Sequence, residues 1–129
     1  MSVLVKALLQ SGWSPHRNAH QFAVASTKEV KDWDGIDAHP AALAAIRRFG
    51  DLQIDFNRRT VLIDPREAAG NTDWFEELER SLGVTAPYPF GVADSHHLML
   101  FVDNSGKLLS QHDVIGETVL EGLFRLGAE

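Results

Sequence analysis

Between Pro40 and Phe56 the chain reads PAALAAIRRFGDLQIDF, a helical pattern that stops on glycine and drops directly into a strand pattern. Pro40 fits a first helical position, where no amide hydrogen is needed, and the alanines after it cost little to keep helical. Leu43, Ile46 and Phe49 recur three apart and so share a face. Arg47 and Arg48 close the last turn, at the negative end of the helix dipole. Gly50 is expected to take the left-handed conformation that ends a helix. Leu52, Ile54 and Phe56 then alternate with Asp51, Gln53 and Asp55, the period of a half-buried strand. A helix joined to a strand through one stop residue is a rigid corner, and the remaining chain must supply a core for both. The corner sets a fold and carries no reaction.

With 129 residues the chain is expected to form a single domain over residues 1–129. A domain of that size buries roughly two-thirds of its unfolded surface. The sequence contains no cysteine, which excludes disulfides, thiolate metal sites and a cysteine nucleophile. The opening MSVLVKALLQSGW has too short an apolar run and no small-residue cleavage pattern for a signal peptide, and no stretch matches a membrane span. A soluble cytoplasmic protein with no membrane contact is the expectation.

The net charge of −6 is unevenly placed: up to Gly50 there are six Lys/Arg against four Asp/Glu, and from Asp51 onward six against fourteen. A nucleic-acid binder needs the opposite balance, because phosphate neutralisation dominates its affinity. An acidic half fits either plain solubility or a basic protein partner drawn in by steering.

Along the chain, Ser2 caps a short helix whose apolar face is Leu4, Val5, Leu8 and Leu9, ended by Gly12. Trp13 anchors the turn that follows, and Arg17 can bond a nearby carbonyl or carboxylate. Phe22 and Val24 alternate with polar or small neighbours as a short strand does, and Ser26-Thr27-Lys28-Glu29 matches a capping box for a helix carrying Val30 and Trp33. Asp34-Gly35 stops that helix, and Asp37 or His39 caps the next. Asn57-Arg58-Arg59 turns the Leu52–Phe56 strand back into Thr60–Ile63, a hairpin broken by Asp64-Pro65. A helix opens at Asp73, buries Trp74, Leu78 and Leu82, and ends at Gly83. Pro87, Pro89 and Gly91 make 86–92 an edge strand at best. Leu98–Val102 is apolar throughout and belongs in the middle of a sheet. Asp103-Asn104-Ser105-Gly106 turns it back into Lys107–Gln111. A last helix, Glu117 to Leu126, presents Val119, Leu120, Leu123 and Phe124 and meets Gly127. Helices and strands are segregated, which predicts an α+β fold and not a doubly wound parallel sheet. Trp13, Phe49 and Trp74 are assigned to the core.

No constellation favours an enzyme. His96 and His97 are adjacent and point to opposite sides of an extended chain, and Pro15 disrupts a shared helical face for His16 and His20. No metal site and no cofactor is expected. The residue twelve positions into a calcium loop starting at Asp103 is Val114, where a glutamate is required. Asp94, Ser95 and His96 lie together without a GxSxG elbow, and the pairs Asp64/Glu67 and Asp73/Glu76 read as acids at helix starts.

Several segments are nevertheless familiar in order. Ser11-Gly12-Trp13-Ser14-Pro15-His16-Arg17 is similar to an AGW-x-PGR opening, and Phe49-Gly50-Asp51-Leu52 to FGGL. Ile63-Asp64-Pro65-Arg66-Glu67-Ala68 is similar to FDP-x-x-A, Tyr88-Pro89-Phe90-Gly91 to YPIG, and Val102 to Lys107 to an ID-x-x-GR hairpin. Gly116 and the last helix match an LG-x-x-x-x-EAL segment. In this order the segments resemble the third subfamily of the SUKH superfamily of bacterial immunity proteins, across nearly the whole chain. His16 and Asp51 stand where that pattern has glycine, and residues 18 to 39 match least and are expanded.

The resemblance implies an α+β fold with a mixed, curved sheet and helices packed mainly on one side. It implies a cytoplasmic immunity protein, not an enzyme, whose partner is a cognate toxin domain of a polymorphic or contact-dependent toxin system, a nuclease or nucleic-acid deaminase. The acids assigned to that contact are Asp32, Asp34, Asp37, Asp55, Asp94 and Asp113, with Trp33 as the aromatic among them. The alternative is a non-enzymatic regulatory or adaptor protein, a role also found in the wider superfamily.

Overall fold

A computed structural model describes residues 2–129. The first helix, α1 (Val3–Gln10), starts as expected: the Val5 amide donates to the Ser2 hydroxyl at 3.1 Å. It buries Ala7 and Leu8, whereas Leu9 faces outward.

The expected strand at Phe22 and Val24 is not formed. One continuous helix, α2 (His20–Asp34), runs through it and through the supposed capping box. Ala23, Ser26 and Val30 fall on one face and are buried, and Val24 is left 54% exposed. The alternation at 21–24 covers only four residues, barely one helical turn; a spacing of three and four governs over the longer window. Ser26 and Thr27 instead turn their hydroxyls back onto the Ala23 carbonyl, a bond that helices tolerate. Gly35, left-handed at φ 73°, ends α2.

His39 caps α3 (Pro40–Phe49). Its Nδ1 accepts from the Ala42 amide at 3.1 Å, and its Nε2–H donates to the carbonyls of Ala86 (2.9 Å) and Val102 (3.2 Å). The ring therefore carries its hydrogen on Nε2 and ties the start of α3 to the sheet.

The corner that follows differs in one respect from expectation. Gly50 has φ −60° and ψ 150°, and Asp51 is the left-handed residue at φ 66°. Glycine is needed at 50 for space: a Cβ there would press on the Ile46 carbonyl oxygen and stand 2.7 Å from the Phe22 ring. The end of α3 is closed from outside, since the Ala19 amide donates to the Arg47 carbonyl at 2.6 Å and Arg17 donates to the Gly50 carbonyl at 2.7 Å. These are carbonyls that the helix itself leaves unpaired. Trp13 stacks flat on Phe49 at 6.0 Å between centroids, with Arg48 over both rings.

Six strands follow in simple order: β1 (Gln53–Asp55), β2 (Thr60–Leu62), β3 (Tyr88–Ala93), β4 (Leu98–Val102), β5 (Leu108–Ser110) and β6 (Val114–Gly116). All five pairings are antiparallel, so the sheet is a meander and not the mixed sheet the resemblance implied. The α+β class is as expected. β3 is not an edge strand: all six of its residues are buried between β2 and β4. Pro89 is tolerated there because the register shifts between Pro89 and Gly91, a bulge where no ladder bond is demanded. Gly91 lets the Ile63 backbone pass, since a Cβ there would meet Ile63 Cα at 3.0 Å. β4 is central, and β6 is a strand that the sequence pattern did not announce.

Between β2 and β3 lie the short helix α4 (Pro65–Ala68) and α5 (Phe75–Leu82), the latter preceded by a 3-10 turn at Thr72–Trp74. The chain ends in α6 (Val119–Ala128), capped by Thr118, with Gly127 inside the helix and pressed against the Phe56 ring. The main core gathers Leu8, Val30, Ile46, Phe49 and Leu123 from α1, α2, α3 and α6 against Ile54, Tyr88, Leu100, Val102 and Leu108 of the sheet. The opposite face is covered by α5 and the residues just after it, where Leu78 with Phe75 and Val84 packs on Phe101 and Leu109. Each such large apolar side chain contributes about 1.5–3 kcal/mol of burial. Trp74 is not in the core. Phe75, Leu78 and Leu82 form the inward stripe, with the Phe75 ring edge-on to Phe101 at 5.9 Å, and this turns Trp74 outward.

Candidate partner-binding surface

In a meander the connections alternate between the two ends of the sheet. The turns β1–β2, β3–β4 and β5–β6 share one end, and the β2–β3 and β4–β5 connections share the other. This topology divides the seven candidate residues into two sets.

Asp55, Asp94 and Asp113 belong to the first end, and each is occupied. Asp55 accepts from the Asn57 amide at 2.9 Å and shapes the β1–β2 turn. Asp94 pairs with Arg59 at 2.9 Å, and Arg59 also reaches the Leu126 carbonyl and Glu129, so the group knots two turns to the end of α6. Asp113 accepts from the Ser110 hydroxyl at 3.1 Å and closes the β5–β6 turn. All three carboxylates are held by internal donors, and one of them is paired with an arginine.

Asp32, Trp33, Asp34 and Asp37 gather at the tip of α2 and the loop into α3. Asp34 accepts from the Gly70 amide at 2.9 Å and fastens this tip to the β2–β3 connection. Asp32 and Asp37 are exposed, paired with Lys28 at 3.0 Å and Lys31 at 3.1 Å. Surface pairs of this kind contribute about 0–1 kcal/mol and yield readily to a better partner. Trp33 stands between them 61% exposed, the most open aromatic ring among the described residues. Beneath the tip, burial pushes the Tyr88 phenol up, and the charges of Asp34 and Asp37 push it further; its hydroxyl has no hydrogen-bond partner among the described residues.

The sequence model of the SUKH-3 immunity protein family matches residues 1–128. The chain belongs to this family. Comparison with curated proteins and with solved structures finds no match. The family match includes the 18–39 segment, so the α2 tip is part of the SUKH-3 domain and not an appendage to it.

The histidines gather into no centre in this SUKH-3 chain. His96 bonds Glu67 at 2.8 Å and His97 donates to the Asp94 carbonyl, so Asp94, Ser95 and His96 form no relay. Among the described residues no three His, Asp or Glu side chains come together as a metal site, and no helix is long and apolar enough to cross a membrane. A second exposed aromatic was missed from the sequence. Trp74, 36% exposed, lies beside Asp73, Glu76 and Glu77 on the outside of α5. The usable signal was the 3-then-4 spacing of Phe75, Leu78 and Leu82, which fits a 3.6-residue turn better than the 4-then-4 spacing from Trp74.

Proposed function

We propose that the protein binds and neutralises a cognate toxin domain, one to one, and that the α2 tip makes the central contact. The observation that carries this reading is Trp33, held open at the end of a rigid helix and flanked by Asp32 and Asp37. Tryptophan is enriched among residues that dominate binding energy, because it buries a large area at low entropic cost. Lys28 and Lys31 against Glu29, Asp32, Asp34 and Asp37 leave the 28–37 stretch at 2 − 4 = −2. A toxin acting on nucleic acid, a nuclease or a deaminase, needs a basic groove, and an acidic collar with an aromatic centre is its complement. Occlusion then needs no catalysis by the immunity protein.

The test is co-expression with the toxin domain encoded beside this gene, reading growth and the isolated complex together. Rescue with a one-to-one complex is expected, and Trp33→Ala should weaken it about 30-fold, the loss of a ~2 kcal/mol hot spot. No rescue and no complex with an active toxin would overturn the reading and favour an adaptor for another intracellular protein.

A further inference from the structure

A second surface, remote in kind from the α2 tip, lies where α3 and α6 run past the β4–β5 turn. It is a groove of about 430 Å³. Its α3 wall is small: Ala41, Ala44 and Ala45, ending in Arg48. The facing wall is large: Glu117 just before α6, then Leu120 in its first turn, with Phe124 one turn further along the same outer stripe. Leu120 and Phe124 are only half-buried although they touch the main core.

The charges are arranged as the sizes are. Arg48 has no carboxylate partner among the described residues; its guanidinium is fixed over the Trp13 and Phe49 rings at 5.5 and 5.4 Å. Glu117 has no cationic partner among them either. Including Glu121 and its 2.7 Å partner Arg125, the two walls carry two cations and two anions. On a chain of net charge −6, two copies repel except where the facing surfaces are locally neutral.

We propose that this groove receives a second copy of the same chain, related by a two-fold axis. Leu120 and Phe124 of each copy fill the alanine-lined wall of the other, and each Arg48 faces the other copy's Glu117. A two-fold contact must be self-complementary, and here small opposes large and plus opposes minus across one groove. The dimer is expected to dissociate in the micromolar range.

Sedimentation velocity of the wild-type chain from about 1 µM to 0.5 mM, a window that brackets micromolar dissociation, is expected to show monomer giving way to dimer. Ala44→Glu, at an exposed position, leaves the fold intact by circular dichroism and raises the dissociation constant at least tenfold. Arg48→Glu and Glu117→Arg each dissociate the dimer. Mixing these two single variants restores a dimer, because both facing pairs are then of opposite charge. A monomer throughout the range overturns the proposal, as does a dimer indifferent to Ala44→Glu. A monomer whose Ala44→Glu variant loses toxin binding overturns it too, and gives the groove to the toxin.

Discussion

The corner after α3 can be tested by exchanging the two residues that form it. Gly50→Ala adds one methyl group where the Ile46 carbonyl oxygen and the Phe22 ring already stand, the nearer ring carbon at 2.7 Å. The carbonyl cannot retreat, because it accepts the Gly50 amide at 2.7 Å. Phe22 is hemmed in by Arg66, whose guanidinium lies 5.5 Å over its ring. Overpacking of this kind costs about 1–3 kcal/mol, and with no easy escape here we expect ~2. For a chain of this length that corresponds to a fall of about 6–10 °C in Tm. Asp51→Gly acts oppositely, since Asp51 is exposed, left-handed at φ 66°, and has no side-chain hydrogen bond among the described residues. Relief of a strained backbone, set against glycine's greater freedom when unfolded, leaves it neutral to stabilising by up to ~1 kcal/mol. Urea unfolding followed by tryptophan fluorescence measures both. If Gly50→Ala lies within ~0.5 kcal/mol of wild type while Asp51→Gly loses more than ~1, position 50 is not crowded, position 51 is not left-handed, and the reasoning fails.

Tyr88 is the one tyrosine in the chain, so tyrosinate absorbance reads it alone. Its folded pKa is raised, chiefly by burial, so folding stability is complete below the unfolded value of about 10 and is lost as pH rises beyond it. The native protein should therefore show tyrosinate absorbance only well above pH ~10 or upon alkaline unfolding, and a normal titration in the native state would contradict this. Tyr88→Phe removes a buried hydroxyl that has no partner, and should leave stability unchanged or raise it by up to ~1 kcal/mol in denaturant titrations. Arg17→Ala removes the donor to the Gly50 carbonyl and should destabilise by about 1–2 kcal/mol in the same assay. Trp33→Ala should change stability by less than ~0.5 kcal/mol, because the ring is mostly solvated.

Much of the fold was legible because local chemistry and tertiary structure agree. Pro40 and Gly50 bound α3, Ser2 caps α1, and Asp103 to Gly106 makes its hairpin turn. In that turn the Asp103 carboxylate, only 2% exposed, accepts from the amides of Ser105 and Lys107. What escaped was set by neighbours distant in sequence. β3 is central in spite of its prolines because a bulge and Gly91 accommodate them, and both depend on how β2 and α4 pass alongside. β6 has only three residues and owes its existence to pairing with β5 and cover from α6. At the candidate surface, sequence gave the acids but not their employment. Asp94 is joined to an arginine 35 positions away and Asp34 to an amide 36 away. Trp33, Asp32 and Asp37 stand in solvent at the α2 tip and in the loop beyond it, the two acids tied only to surface lysines.

The central claim is that this tip meets the toxin. Its most direct test is calorimetric titration of the adjacent toxin domain, catalytically inactivated, into wild type, Trp33→Ala and Trp74→Ala, at about 0.05 and 0.5 M salt, where screening lengths differ severalfold. The account predicts one-to-one binding weakened by salt, a loss of about 30-fold for Trp33→Ala and little change for Trp74→Ala. Unchanged affinity for Trp33→Ala with loss for Trp74→Ala would contradict it, and would move the contact to the acidic outer face of α5.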